Sequence, residues 1–280
     1  MILRHIKTIG LDMSQIESLL VIMEKLRDPE TGCPWDLGQT YKTIVPHTLE
    51  EVYEVVDAIE NGDIADLRAE LGDLLFQIVF YAQIGKERNE FDFKDVVEGI
   101  NEKLISRHPH VFQVDGKQST KKMTLAEQSS TWEMFKQKER EDKSKSNQTV
   151  SIMDNVPLAF PALTRAKKIQ NRAAKVGFDW DNIEPVWAKL QEEVDEIHEA
   201  INGHMGQDKI EDELGDLLCV CVNLARHLDI DPEKALRRSN NKFERRFRYI
   251  EAKLALKEKT PEEASLEEMD ALWDEAKKEE

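Results

Sequence analysis

Two matching sets of carboxylates stand out among the residues able to do chemistry. Glu50-Glu51-x-x-Glu54 is followed by Glu70-x-x-Asp73, and Glu192-Glu193-x-x-Glu196 is followed by Glu213-x-x-Asp216. The core Glu-Leu-Gly-Asp-Leu-Leu is identical at Glu70–Leu75 and Glu213–Leu218. A three-residue step places two acids on one helical face, about one turn apart. Two such helices placed face to face aim four carboxylates at one point. Left alone those charges repel; a hard divalent cation such as Mg²⁺ removes that penalty. A solvated helix face also carries Glu and Asp. Here, however, the acids lie directly against Leu71, Leu74, Leu75 and Phe76, and against Leu214, Leu217, Leu218 and Val220. Carboxylates beside an apolar stripe need a compensating partner. The pattern therefore predicts a metal site on helices, in two copies: Glu193, Glu196, Glu213 and Asp216, and Glu51, Glu54, Glu70 and Asp73.

The elements that must position these acids are helical. Gly and Pro are sparse, and Ile16, Leu19, Leu20, Met23 and Leu26 keep a helical apolar period. No series of alternating strands is evident. Each half reads as a helix, a Trp-Asp loop, an acidic helix, a turn, a second acidic helix and a basic helix. The turns are Asn61-Gly62-Asp63 and Asn202-Gly203-His204-Met205-Gly206, where glycine ends the first acidic helix and lets the chain reverse. Trp35-Asp36 after Gly32 matches Trp180-Asp181 after Gly177. Lys103 and Arg107 match Lys242 and Arg246, and Trp132-x-x-x-Lys136 matches Trp273-x-x-x-Lys277. This long-range repetition is a domain duplication rather than a short-period solenoid. The expected domains are residues 1–140 and 155–280, joined by a polar linker over 141–154. Two helices leave much apolar surface uncovered, so each core is expected to be four-helix-bundle-like and completed by a homodimer.

With 280 residues and a net charge of −17, the chain does not read as a nucleic-acid or acidic-membrane binder. The short Met1–Leu11 start is no signal peptide, and no apolar run reaches transmembrane length. Three cysteines, Cys33, Cys219 and Cys221, form no disulfide framework and fit a reducing cytoplasm. Cys219 and Cys221 are expected at or near the core.

The motifs resemble those of the MazG family of nucleoside triphosphate pyrophosphohydrolases with two tandem MazG-type domains. They include Glu192-Glu193-x-x-Glu196, Glu213-x-x-Asp216, Lys242–Phe247, Val176–Trp180, Gly32–Asp36 and Arg107–Phe112. The resemblance covers nearly the whole chain. It implies an all-α, Mg²⁺-dependent homodimer, with Mn²⁺ as a substitute ion, that splits a nucleoside triphosphate into monophosphate and pyrophosphate. It also implies broad base tolerance and a housecleaning or stress role.

The residues themselves are compatible with that chemistry. Mg²⁺ takes a few carboxylates plus water and substrate oxygens, and Glu193, Glu196, Glu213 and Asp216 supply such a shell. Which acid accepts the water proton stays open. A triphosphate also needs cations. Lys242 and Arg246 lie one helical turn apart, and Lys189 and Lys209 sit four residues before Glu193 and Glu213. With Glu192 and with Trp273, whose ring could stack on a base or ribose, they are the candidate substrate-binding residues. Each has a plainer reading: the cations as helix ion pairs, Trp273 as a packed aromatic. Unit one has His47 and Asp66 where unit two has Lys189 and Lys209, so the second unit is the expected main catalyst. His108-Pro109-His110 and the basic residues Lys167, Lys168 and Arg172 are weaker candidates. Asp195-x-x-His198 lacks the second copy that a di-iron site needs, and no P-loop is present. The competing reading is a non-catalytic helical scaffold or regulator that binds a structural cation.

Overall fold

The computed structural model describes residues 15–108, 111–112, 124 and 151–280. The Met1–Leu11 start, the Pro109-His110 pair, the Trp132–Lys136 motif and the linker up to residue 150 lie outside the described residues. The chain divides into two compact units, residues 1–137 and 138–280. The described elements are helical, with no strand among them, as the periodicity requires.

In the first unit, α1 (Gln15–Leu26) leads through a one-turn helix α2 (Pro34–Leu37) to α3 (Tyr41–Asn61), α4 (Ile64–Glu87) and α5 (Phe93–Arg107). Trp35-Asp36 thus lies on a short helix rather than in a loop, because Pro34 at its first position presets a helical φ. Thr40 and Thr43 form a reciprocal capping box that starts α3. Gly62, at φ +74°, ends that helix in the left-handed region, which a side chain would disfavour. Asp63 then accepts from the Ala65 and Asp66 amides and starts α4 at once. α3 and α4 form an antiparallel hairpin, and α1 packs on α4. Met23, Ile44, Val79, Phe80 and Ile84 form the core. The core lies toward the open end of the hairpin, so the acids fall between it and the Gly62 turn.

The second unit repeats the plan. α6 (Ala162–Ala174) is followed by α7 (Glu184–Asn202), α8 (Gln207–His227) and α9 (Pro232–Ala255). A 3₁₀ turn at Pro261–Glu263 leads to α10 (Leu266–Lys278). The turn between α7 and α8 uses His204 at φ 51° and Gly206 at φ +94°. α7 packs on α8, α6 on α8, and α9 on α10 and α6. Ile250, Leu254 and Leu272 are buried where α9 meets α10. No described helix is long and apolar enough to cross a membrane.

One expectation is corrected. Cys219 and Cys221 are exposed rather than near the core. α8 buries Val220 and Val222 instead, while Leu214 and Leu218 of the same helix also face outward. α3 and α4 likewise present Leu49, Val52, Leu71, Leu75 and Ile78 at the surface of the single chain.

Candidate active site

α7 and α8 each bring one end of the second acidic set to a common point. Ligand oxygens of Glu193, Glu213 and Asp216 lie within 4.8 Å of one another. The first unit does the same with Glu51, Glu70 and Asp73. Glu196 and Glu54 stand outside these two triads. Both remain in electrostatic reach: the Glu196 carboxyl is raised by desolvation and by Glu193 and Glu213, and Glu54 raises both Glu51 and Glu70. So each helix pair converges three of its four predicted acids and keeps the fourth beside them.

The two sites differ in counter-charge. In the second unit, Lys189 Nζ donates to Glu192 Oε1 at 2.6 Å and lies 2.7 Å from Glu193 Oε1. Lys209 pairs with Glu213. Both lysines are raised above the ordinary ammonium range by these hydrogen bonds. Lys189–Glu193 and Lys209–Glu213 are i,i+4 pairs and Lys189–Glu192 is i,i+3, the registers that bring side chains together on a helix. The acids they reach are the buried ones: the side chains of Glu193 and Glu213 are 4% and 6% exposed. In the first unit, His47 Nδ1 lies 3.8 Å from Glu50. Asp66 adds a further negative charge that, after desolvation and Glu54, raises Glu70.

The donor set suits a hard divalent cation. All converging atoms are carboxylate oxygens, the ligands that Mg²⁺ and Mn²⁺ take. Glu193 Oε2 is buried and has no hydrogen-bond partner. An unpaired buried carboxylate oxygen is costly in a folded protein, and a cation at the triad would satisfy it.

The remaining predicted substrate residues sit on α9 and α10. Lys242 is exposed and Arg246 is mostly covered. The described partners of Arg246 are not the triad. Its Nε and Nη2 donate to Glu280 at 3.1 and 2.6 Å, and its guanidinium lies 5.3 Å from the Trp273 ring centroid. Trp273 packs beside the Ile250–Leu254–Leu272 cluster, 5.0 Å from the Phe243 ring. Its packed role is evident here, and its ring also carries Arg246. The weaker basic candidates have structural partners. Lys167 donates to the Ile230 carbonyl, Lys168 lies over Phe160, and Arg172 donates to the Ile152 carbonyl. His108 Nδ1 lies 2.7 Å from the Leu104 carbonyl, so this ring nitrogen is its donor.

Sequence reasoning missed one cluster at the far end of α8. Asp179, in the segment before α7, receives Arg226 Nη1 at 2.7 Å and lies 3.3 Å from His227 Nε2. Hydrogen bonds from Arg226 hold its carboxyl below the usual range. This pairing ties the Gly177–Trp180 segment to the end of α8. Residues 47 positions apart carry no local signal of it.

Comparison with known proteins bears on what this arrangement does. The model of the MazG nucleotide pyrophosphohydrolase domain matches twice, at residues 39–112 and 182–250. These spans contain both triads. A protein of Escherichia coli (strain K12) named nucleoside triphosphate pyrophosphohydrolase is 49% identical over 269 residues, covering 96% of this chain and 99% of that one. A Thermotoga maritima protein named nucleoside triphosphate pyrophosphohydrolase/pyrophosphatase MazG is 42% identical over 261 residues, covering 93% of this chain and 95% of that one.

Proposed function

The chain belongs to the MazG nucleotide pyrophosphohydrolase family and is an enzyme of that class, and on that premise we propose that its second unit hydrolyses nucleoside triphosphates to the monophosphate and pyrophosphate. Glu193, Glu213 and Asp216 would hold Mg²⁺, for which Mn²⁺ can substitute. The observation that carries this reading is the buried, unpartnered Glu193 Oε2 within a carboxylate triad flanked by Lys189 and Lys209. A structural ion needs no cations beside it; an anionic phosphate chain does.

A bound Mg²⁺ would supply charge neutralisation on the phosphates and a more acidic water. The protein's own groups do the rest. Glu193, Glu213 and Asp216 hold their oxygens convergent because α7 and α8 are locked as a hairpin. Glu196, outside the triad, would accept the water proton. Lys189 and Lys209 lie along the two triad-bearing faces, where they can turn from carboxylate to phosphate. Lys242 and Arg246 extend the positive surface along α9, and Trp273 orients Arg246. Glu192 keeps Lys189 at the mouth of the site.

The first unit is proposed as a second cation site with Glu51, Glu54, Glu70 and Asp73 and no lysine equivalent to Lys189 or Lys209. A homodimer is part of the same proposal: a second copy would cover the apolar residues that flank the acids, such as Leu71, Leu75, Leu214 and Leu218. The relatives' names specify a nucleoside triphosphate without a base, in keeping with broad base tolerance and nucleotide-pool housecleaning. A cytoplasmic setting fits three unbonded cysteines.

Product analysis on the purified chain with Mg²⁺ and a nucleoside triphosphate tests the reaction. Monophosphate plus pyrophosphate supports it. Diphosphate plus phosphate indicates a different hydrolase, and no turnover favours the cation-binding scaffold. Asp216→Ala should lower turnover at least about 100-fold, whereas Asp73→Ala should leave most of it. The reverse ranking would transfer the main catalytic role to the first unit.

A further inference from the structure

The two buried acids of the second site are the two that carry a lysine in i,i+4 register. Glu193 and Glu213 are buried, and they pair with Lys189 and Lys209. The first unit has neither feature. Glu51 and Glu70 are only half-buried, and among the described residues no lysine or arginine pairs with Glu51, Glu70 or Asp73. The Glu51 and Glu70 carboxyls are held above the ordinary range, by desolvation first and then by neighbouring acids. A carboxylate buried in its charged form needs a counter-charge, and in the second site the lysines supply it. Their ammoniums keep an outlet to solvent, since Lys189 is partly exposed and Lys209 exposed.

The charges of this arrangement match those of a loaded metal site. In ionised form Glu193, Glu213 and Asp216 bring three negative charges, and the two ammoniums bring two positive ones. One divalent cation brings the same two, so it can replace the lysines without changing the charge of the cluster. No lysine has to leave first. Lys189 lies 2.7 Å from Glu193 Oε1, whereas Oε2 of the same carboxylate is buried and has no hydrogen-bond partner. An ion bonded at ~2.1 Å to Oε2 would stand on the order of 6 Å from that ammonium, where single and double positive charges repel strongly outside bulk water. Lys189 has a second partner to retain it: its ammonium also donates to the exposed Glu192 at 2.6 Å. A phosphate chain on the cation would then present the anionic oxygens that both released ammoniums need.

We propose that Lys189 and Lys209 are the counter-ions of the metal-free second site, that one divalent cation displaces them, and that their release couples metal entry to capture of the phosphate chain. The proposal rests on the reading of Glu193, Glu213 and Asp216 as a cation site. Its consequence runs against that of a supporting residue: with no nucleotide present, the two lysines oppose the ion they stand beside, and the site binds metal more weakly with them than without them.

The test is binding of Mn²⁺ alone to the full-length chain, followed by electron paramagnetic resonance of the free ion, in an Asp73→Ala background that removes any contribution from the first unit's acids. Adding Asp216→Ala should abolish the remaining binding. If it does not, the triad is no cation site, and the proposal falls with that reading. Given that loss, Lys189→Met and Lys209→Met, which keep the stem without the charge, should each bind Mn²⁺ at least about fivefold more tightly. Lys189→Arg, which keeps the charge, should bind as the parent does. Parent-like or weaker binding in either Met variant overturns the proposal while leaving the cation site intact, and makes the lysines supports that hold Glu193 and Glu213 in place. If a Met variant does not fold without metal, the Gln variant at that position is read in its place, with the same two outcomes. The coupling is read by labelling of the lysine amines, followed by mass spectrometry. Labelling of Lys189 and Lys209 should rise when Mn²⁺ is added and fall again when an α,β-methylene nucleoside triphosphate joins it. Labelling that Mn²⁺ leaves unchanged shows that the lysines stay on their carboxylates and overturns the proposal.

Discussion

Lys189 Nζ lies 2.7 Å from Glu193 Oε1, while the other oxygen of that carboxylate is buried and unpartnered. One oxygen is met by an ammonium, and the other is the one a cation would satisfy under the proposed function. The lysine's partners in the structure are Glu193 and Glu192; under the proposed function it would exchange them for phosphate. The contact observed is the helix ion pair, and kinetics distinguishes it from the proposed phosphate contact.

Lys189→Ala should lower kcat/KM for a nucleoside triphosphate about 10- to 100-fold, the ordinary effect of losing one charge-assisted contact. Thermal unfolding without metal should also move to lower temperature, because the buried Glu193 loses its counter-charge, and saturating Mg²⁺ should reverse that shift. Unchanged kinetics with a lowered melting temperature would make Lys189 purely structural.

Arg246 is held by Glu280, whose carboxyl the Arg246 and Arg245 hydrogen bonds pull down to about 2. Its depressed carboxyl makes the pairing present above the ordinary value of 4.5 and lost only as pH falls through about 2. It is thus intact at any assay pH near neutrality. Glu280→Gln should leave Arg246 more available and lower KM a few-fold. Arg246→Lys should raise KM, because lysine lacks the planar fork. Steady-state kinetics near pH 8 checks both, and identical constants in all three proteins would remove Arg246 from the substrate site.

Asp179 supplies a pH-dependent contribution to folding. Its carboxyl is held below 3.8, chiefly by the Arg226 hydrogen bond. The stabilisation is therefore full above pH 3.8 and fades as pH falls through the lowered value. Asp179→Asn should cost about 1–2 kcal/mol at pH 7 and less at pH 3, below the ordinary carboxyl value. Urea unfolding at the two pH values tests this. An equal loss at both would mean that the side chain acts through packing, not charge.

Gly85 is a packing requirement on α4. A Cβ built there would meet the Phe91 carbonyl oxygen at 2.7 Å and its ring carbons at 3.0 Å. Backbone cannot yield as a side-chain tip can, so Gly85→Ala should destabilise by roughly 1–3 kcal/mol, despite alanine's better helix propensity. Calorimetry would decide, and a raised melting temperature would show that the α4–α5 connection adjusts freely.

The helices, the duplication and the two sets of candidate acids are legible from local signals in the sequence. Local signals carry each of these: the 3.6-residue apolar period, Gly62 and Asp63 at the hairpin turn, and three-residue steps between Glu213 and Asp216. The i,i+4 spacing of Lys189 to Glu193 and Lys209 to Glu213 was legible for the same reason, because helix geometry alone brings those side chains together. Which three acids of each four meet is set by packing, since it depends on how one helix is rotated against its partner. The tertiary structure also decided that Arg246 turns to Glu280 and Trp273, that Asp179 is tied to Arg226, and that Gln77 is buried against Glu51. These pairs join residues far apart in the chain. Their proximity follows from packing between elements, which no spacing within one helix encodes.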